Sequence, residues 1–252
     1  MKLRELFAKI ESVRKKYKIS PVFIVGGTVR DKLLGRLNKI EDLDITAGDD
    51  TIKFLSKELS IYLSKNFNIK NKEMNDGHSS IYIGDFKLDF SSNFNAPNIE
   101  AILNKMGIKK PTSLQKEIFS RDFTCNSLLM TLDLKIIVDP TKRGVNDIRD
   151  KMIRTCLSPE ITLTSNKNRV VRAIYLAAKL GFEIDPVIVE WVKKHPESIK
   201  ISSPKVLAEK LNKAILANPK ITTYYLDQMG LWKHIPITKN LYPYYIKRLA
   251  VE

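Results

Sequence analysis

In residues 3–17 the apolar positions fall at 3, 6, 7, 10 and 13, the spacing of one helical face. Pro21 then opens a short apolar run, Val22-Phe23-Ile24-Val25, which reads as a strand. Gly26-Gly27 turns that strand into a helix carrying Val29, Leu33 and Leu34, with Gly35 as its stop. Leu43-Asp44-Ile45-Thr46 predicts a second strand, and residues 52–63 an amphipathic helix. Residues 80–83 and 86–90 are two strands flanking Gly84-Asp85, a hairpin turn. Residues 93–111 predict mostly loop with a short helix, and Ile136-Ile137-Val138 a strand closed by Asp139-Pro140. From Val145 onward the period becomes helical. Residues 170–180 end at Gly181, a C-terminal stop, and residues 186–194, 204–216 and 221–231 follow as further helices. The pattern contains no internal repeat and no low-complexity linker. It predicts an α+β chain, with a mixed α/β domain over residues 1 to about 142 and an all-α region after it.

Composition narrows the class. The chain has 252 residues, 43% of them hydrophobic, which suffices for a packed core and excludes global disorder. No apolar run reaches the ~18–20 residues that a membrane span needs. The first seventeen residues lack the apolar stretch of a signal peptide, and Glu5 and Glu11 speak against a transit peptide. Two cysteines, Cys125 and Cys156, are too few for a disulfide framework and read as small hydrophobes in a reduced, cytoplasmic protein. His78, His195 and His234 stand apart and read as structural or solvated. The formal net charge of +15 favours a polyanionic partner through attraction and counterion release. That charge is uneven. Residues 1–140 hold 23 Lys+Arg against 18 Asp+Glu, and residues 141–252 hold 20 against 10, so the C-terminal part is the better candidate for contact with nucleic acid. Nothing in the sequence fixes an oligomeric state.

Two local features carry chemistry. In Asp42-Leu43-Asp44, residues i and i+2 of a strand point to one face, so two carboxylates stand side by side. Their repulsion is costly unless a cation joins them, and hard oxygen ligands suit Mg²⁺. Asp89, between apolar Leu88 and Phe90, has the strand context of a third carboxylate, and such a set suits a two-metal site. Gly26-Gly27 at a strand-to-helix turn offers backbone N–H groups to an anion, with Arg30 about one turn further on. Acids on the next strand beyond a phosphate-binding turn are what phosphoryl transfer from a nucleoside triphosphate needs.

Ile24-Val25-Gly26-Gly27-Thr28-Val29-Arg30-Asp31-Lys32-Leu33-Leu34-Gly35-Arg36, followed by Asp42-Leu43-Asp44-Ile45, resembles the opening motif of the class II tRNA nucleotidyltransferase and bacterial poly(A) polymerase family. Ser120-Arg121-Asp122-Phe123-Thr124-Cys125-Asn126 resembles the family's Arg-Arg-Asp-Phe-Thr-Ile-Asn element. Asp139-Pro140, Gly144, Asp147 and Arg154 resemble the next one. Asn168-Arg169-Val170-Val171-Arg172-Ala173, continuing to Lys179-Leu180-Gly181-Phe182, resembles the helix that reads the incoming base. The motifs come in the family's order over roughly residues 20–235. The resemblance implies a polymerase β-like catalytic head on a mixed sheet (1–142), a helical neck holding the nucleotide-reading helix (143–200) and a short helical body in contact with RNA (201–252).

What the resemblance implies for single residues follows the motifs. Asp42 and Asp44 would hold Mg²⁺, with Asp89 as the third catalytic acid. Gly26, Gly27 and Arg30 would bind the nucleotide phosphates and Arg121 a phosphate or the ribose. The family's base template is an acid-acid-x-x-Arg motif, and its positions here are Ser165, Asn166 and Arg169, with Arg172 following. Residues 166, 169 and 172 recur every three positions and would share one side of a helix. The chain departs from the family at several points. Ser165 and Asn166 replace the paired acids, Ser120 the first Arg of its element, and Tyr175 a further Arg. Phe94 stands near where an Arg follows the third-acid strand. The implied activity is addition of C or A, from CTP and ATP, to tRNA 3′ ends. Poly(A) synthesis on other RNAs, a catalytically weak RNA-binding relative, and a small-molecule nucleotidyltransferase are the rivals.

Overall fold

The structure is a computed structural model that describes residues 2–36, 40–73, 78–90, 95–201 and 203–250. Phe94 lies outside the described residues. The chain forms two compact units. The first comprises residues 1–121 and 125–148, and the second residues 122–124 and 149–252.

The first unit opens with α1 (Leu3–Lys16), which buries Leu6, Phe7, Ile10 and Val13, the face its sequence spacing predicts. Then come β1 (Phe23–Val25), α2 (Gly27–Leu33), β2 (Asp42–Thr46), α3 (Thr51–Ser64), β3 (Ile69–Glu73), β4 (Ser79–Ile83) and β5 (Phe86–Phe90). The unit closes with α4 (Ile99–Lys105), α5 (Ser113–Ser120), β6 (Leu129–Met130), β7 (Ile137–Val138) and α6 (Gly144–Arg149). Among the described residues these strands form one sheet in the order β3-β4-β5-β2-β1-β6-β7. The β2–β5 pair is parallel and its neighbours are antiparallel. The mixed sheet is thus the one the α+β reading requires. Strand β3 had no counterpart in the sequence pattern. Its residues, Ile-Lys-Asn-Lys-Glu, show no alternation, and the strand exists as a charged edge paired to β4. Helix α5 opens on a capping box in which Thr112 accepts from Gln115 N–H and the Gln115 side chain accepts in return. Ile118 of α5 packs on Val25 of β1 and Leu129 of β6, so this helix is fixed against the middle of the sheet.

The second unit contains β8 (Met152–Ile153), α7 (Pro159–Ser165), α8 (Asn168–Leu180), β9 (Glu183–Ile184), α9 (Pro186–Lys194), α10 (Pro204–Ala217), α11 (Pro219–Gln228) and α12 (Tyr242–Leu249). Helices α7, α9, α10 and α11 each begin at a proline preceded by a capping side chain. Ser158, Asp185, Ser203 and Asn218 accept from the backbone N–H of Ile161, Val187, Val206 and Ile221. The prolines occupy a position whose N–H needs no partner, and each cap stabilises its helix by about 1 kcal/mol. Helix α8 is the centre of the unit. It buries Val170, Val171, Ala173, Ile174 and Ala177 and ends at Gly181, whose φ of 71° is the left-handed stop that glycine allows. β8 and β9 add a two-residue parallel ladder to an otherwise helical region. A hydrophobic period cannot announce strands that short.

Candidate active site

The acids of the first unit are placed by strand alternation. On β2, Asp42 is exposed, Leu43 buried, Asp44 half-buried and Ile45 buried. Both carboxylates therefore leave the face opposite Leu43. β5 is the immediate parallel neighbour, and its Asp89 is the register partner of Asp44, while Lys87 is the partner of Asp42. Asp44, Asp89, Asp42 and Lys87 thus stand in two adjacent pairs on one face of the sheet. Asp89 is engaged already. Ser80 Oγ donates to its Oδ1 at 2.6 Å and Lys87 Nζ to its Oδ2 at 2.5 Å. Burial lowers the Lys87 pKa, but the hydrogen bond and charge of Asp89, with the charge of Asp42, outweigh it and raise the value overall. Lys87 went unnoticed in the sequence. The available signal was its i, i+2 spacing to Asp89 on a strand.

Among the described residues no three His, Cys, Asp or Glu side chains form a group able to hold a metal ion. A hard divalent cation would therefore have to rely on Asp42 and Asp44, two carboxylates of like charge on one strand face, with Asp89 beside them paired to Lys87. A close backbone approach fixes one edge of this set. Gly26 has φ 85°, and a Cβ there would lie 2.5 Å from Asp44 Oδ2. Only glycine permits both that conformation and that contact. Thr28 Oγ1 donates to the Asp42 carbonyl at 2.9 Å, tying the helix start to the acid strand from the other side.

Arg30 is buried, at 4% exposure. Its Nη1 donates to Asn126 Oδ1 at 2.6 Å and its Nε to Asp31 Oδ1 at 2.9 Å. The glycine-turn motif and the Arg-Asp-Phe-Thr-x-Asn element thereby meet through one buried guanidinium. Its Nη2 also lies close to the turn, 3.3 Å from where a Gly27 Cβ would be. Arg121, in the same element, is held by Glu117 one helical turn earlier, Nη1 to Oε1 at 3.3 Å. Glu117 is almost fully buried and accepts from Thr46 Oγ1, at the end of β2. Burial raises its pKa, against the Arg121 charge, the Thr46 hydroxyl and the Gly48 N–H, which lower it. Glu117 is a second residue that sequence reasoning missed; its i, i+4 spacing to Arg121 was the signal. Ser120, standing where the family has arginine, is buried. Its hydroxyl donates to the Lys116 carbonyl at 2.7 Å and accepts from Ala96 N–H at 2.8 Å.

The second unit holds the other candidates, and here one expectation changes. Asn166 does not share a helix with Arg169 and Arg172. It lies in extended conformation (φ −154°, ψ 109°) between α7 and α8. Its exposed side chain accepts from Asn168 N–H at 3.0 Å, a local turn that competes with helix. Arg169 and Arg172 do lie on α8. Arg169 is buried, and its Nη1 donates to the Thr162 carbonyl at 2.9 Å and to Ser165 Oγ at 2.8 Å. Arg172 Nε pairs with the carboxylate of Asp122, which belongs to this unit, and keeps half its side chain exposed. Lys179 Nζ stands 5.9 Å from the ring centroid of Tyr175, one turn along the helix, which returns a cation near the position where the family's arginine is missing. Two further motif residues hold local contacts. Asp139 accepts from Thr141 Oγ1 and Val145 N–H at the start of α6, and Arg154 pairs with Asp185 at 2.7 Å. Cys125 and Cys156 are buried and not joined in a disulfide, and His195 stacks on Trp191 at 4.6 Å. No helix among the described residues is long and apolar enough to cross a membrane.

Residues 22–154 match the family described as the poly A polymerase head domain. A tRNA nucleotidyltransferase of Schizosaccharomyces pombe is 29% identical over 223 residues, 82% of this chain and 45% of that protein. Poly(A) polymerase I of Escherichia coli O157:H7 is 27% identical over 211 residues, 81% of this chain and 44% of that protein. Among solved structures, the Thermotoga maritima CCA-adding enzyme complexed with tRNA superposes with a TM-score of 0.69 at 22% identity, covering 91% of this chain and 51% of that one. The chain spans about half the length of each of these three proteins.

Proposed function

The chain belongs to the family of the poly A polymerase head domain, and from that premise we propose that it transfers nucleotides from CTP, ATP or both to the 3′ end of tRNA. The observation that carries this reading is the carboxylate pair on β2, with Asp44 set against the backbone of Gly26. In nucleotidyl transfer the 3′-hydroxyl of the RNA attacks the α-phosphorus of the triphosphate, a phosphodiester forms and pyrophosphate leaves. Asp42 and Asp44 would hold Mg²⁺, which when bound supplies Lewis-acid stabilisation to the attacking and leaving oxygens. The Gly26-Gly27 turn and Arg121 would receive the phosphate groups, and Glu117 would hold the Arg121 guanidinium ready for that contact. Asp89, tied to Lys87, is the third acid of the strand face. Asn166, Arg169 and Arg172 would select the base, and residues 201–252 would form the body in contact with RNA. Buried cysteines outside any disulfide and an RNA substrate would suit a reducing, cytoplasmic setting.

The test is incorporation of labelled CTP and ATP into tRNA transcripts lacking the last three, two or one residues, with Mg²⁺ present. Addition that stops once the end is complete supports the reading. Long homopolymeric A tails on unrelated RNA would instead make the chain a poly(A) polymerase, the reading favoured by its similarity to the Escherichia coli enzyme. Absence of incorporation with any primer and any nucleotide would leave an RNA-binding relative.

A further inference from the structure

The carboxyl-terminal helices of the second unit enclose an open cavity of about 570 Å³ that the proposed chemistry does not use. It lies among α11, the turn at Trp232–His234, and α12, and is lined by Lys220, Asp227, Trp232, Tyr244, Lys247 and Arg248. Its volume is within the roughly 300–1,000 Å³ of ligand sites. Asp227 fixes one side. Its Oδ1 accepts from the buried indole Nε1 of Trp232 at 2.6 Å and from Arg248 Nε at 3.0 Å. Helix α12 buries none of its residues, and Tyr244 on it is 37% exposed. Three cations face one acid in this lining, and Lys220 and Lys247 make no ion pair among the described residues. The surrounding segment repeats that imbalance, with 8 Lys+Arg against 3 Asp+Glu over residues 201–252.

From this lining we infer that the cavity takes one nucleotide of a single-stranded RNA segment, its base on the Tyr244 ring and its phosphate between Lys220 and Lys247. The inference rests on the reading of the chain as an RNA-directed enzyme and assigns that RNA a contact outside the catalytic acids. Aromatic faces accept any base, and lysine ammonium groups satisfy a phosphate without sequence preference. An apolar polypeptide in the same place would strip water from two ammonium groups and offer them no acceptor. Phosphate supplies the charge that the lining lacks. Asp227 keeps Arg248 and Trp232 in place, so the site is preorganised around the position of the base.

The experiment uses the full chain and a short oligoribonucleotide containing 4-thiouridine. Irradiation should cross-link the RNA to the peptide carrying Tyr244 or Trp232. By fluorescence anisotropy, Tyr244→Ala should weaken RNA binding by about tenfold or more, while Tyr244→Phe, which keeps the ring, stays within about twofold. Lys247→Gln should weaken binding and lower the salt slope by about 0.7, one phosphate contact on a single strand. Lys239→Gln, an equal charge loss outside the lining, is the control. The pocket assignment is overturned if Tyr244→Ala and Lys247→Gln bind like Lys239→Gln while their melting curves match the wild type. Self-association that depends on Tyr244, with RNA affinity unchanged, would make the occupant a second chain and overturn it too. Pocket-dependent RNA binding without any nucleotide incorporation would leave this inference standing and remove the catalytic proposal instead.

Discussion

On β2, Asp42 and Asp44 project from the face opposite buried Leu43, and the strand that carries them is paired on both sides by β1 and β5. At the α7–α8 corner, Asn166 and Arg169 spend their polar atoms on backbone and side-chain partners a few residues away. The sheet therefore displays its chemistry, while the corner builds its candidate chemistry into the fold. The difference has a mechanical meaning. Removing a β2 acid relieves repulsion and leaves the scaffold intact. Removing Arg169 takes away a group that joins α7 to α8. Function and stability should thus separate in the first region and move together in the second.

The largest expected effect is at the acids. Asp42→Ala and Asp44→Ala should each reduce incorporation by about a thousandfold or more, a loss of several kcal/mol of transition-state stabilisation. Their melting temperatures should stay within a few degrees of wild type. Near-normal turnover in either variant would defeat the metal-holding role. Next comes Arg169→Ala, which should lose incorporation of both CTP and ATP and also melt lower by about 5 °C, as expected when charged-group hydrogen bonds worth about 1.5–3 kcal/mol are broken. Unchanged melting would erase the contrast drawn between sheet and corner. Gly26→Ala crosses the two behaviours. A Cβ 2.5 Å from Asp44 Oδ2, on a backbone at φ 85°, should cost at least about 1 kcal/mol of stability and displace the carboxylate, so activity falls too. A variant as stable and as active as wild type would show that the turn relaxes freely.

Two smaller effects sharpen the picture. Asn166→Asp keeps the acceptor for Asn168 N–H, so stability should hold or rise slightly, while an added carboxylate should repel the carbonyl that UTP presents where CTP has an amine. Discrimination of CTP from UTP should improve by about tenfold, on the order of one hydrogen bond. Steady-state kinetics with both nucleotides on one primer decide it, and an unchanged ratio means that Asn166 does not face the base. Glu117 supplies the pH arm. Its folded pKa lies above the ordinary 4.5, so the folded state holds the proton more tightly than the unfolded one. That contribution is complete below about pH 4.5 and is lost as pH rises through the folded value. Glu117→Gln should remove this slope, so denaturant melts of wild type and variant should converge or cross as pH rises from 4 towards neutrality. Parallel curves would mean that Glu117 titrates as an ordinary surface acid.

Much of the first unit was legible because its elements follow simple periods. The helical face of α1, the Gly26-Gly27 turn, the alternation around Leu43 and the Gly84-Asp85 hairpin each left a local signal. What escaped is structure made by partners distant in sequence. Edge strand β3 exists because β4 offers it hydrogen bonds, and the β8–β9 ladder joins residues about thirty positions apart with two residues a side. The same holds for the site. Asp42, Asp44 and Asp89 could be found from strand context, but Lys87 and Glu117 matter through what they touch, and a single Lys or Glu in a mixed sequence announces nothing. The three-residue recurrence of 166, 169 and 172 misled for a related reason. Period alone does not reveal that the Asn166 side chain bonds the backbone ahead of the helix and leaves its own residue outside it.

The second unit is not a continuous stretch of chain. Its Asp122–Thr124 piece sits inside the sequence of the first unit, with Asp122 accepting Cys156 N–H and pairing with Arg172, and Thr124 N–H bonding the Arg154 carbonyl. A gene fragment starting at codon 149 would therefore encode a helical unit lacking the partner of Arg172 and the strand bridge between Phe123 and Thr155. A single crossover that carries this unit intact must fall before Asp122, and it then brings residues 125–148 of the first unit along with it.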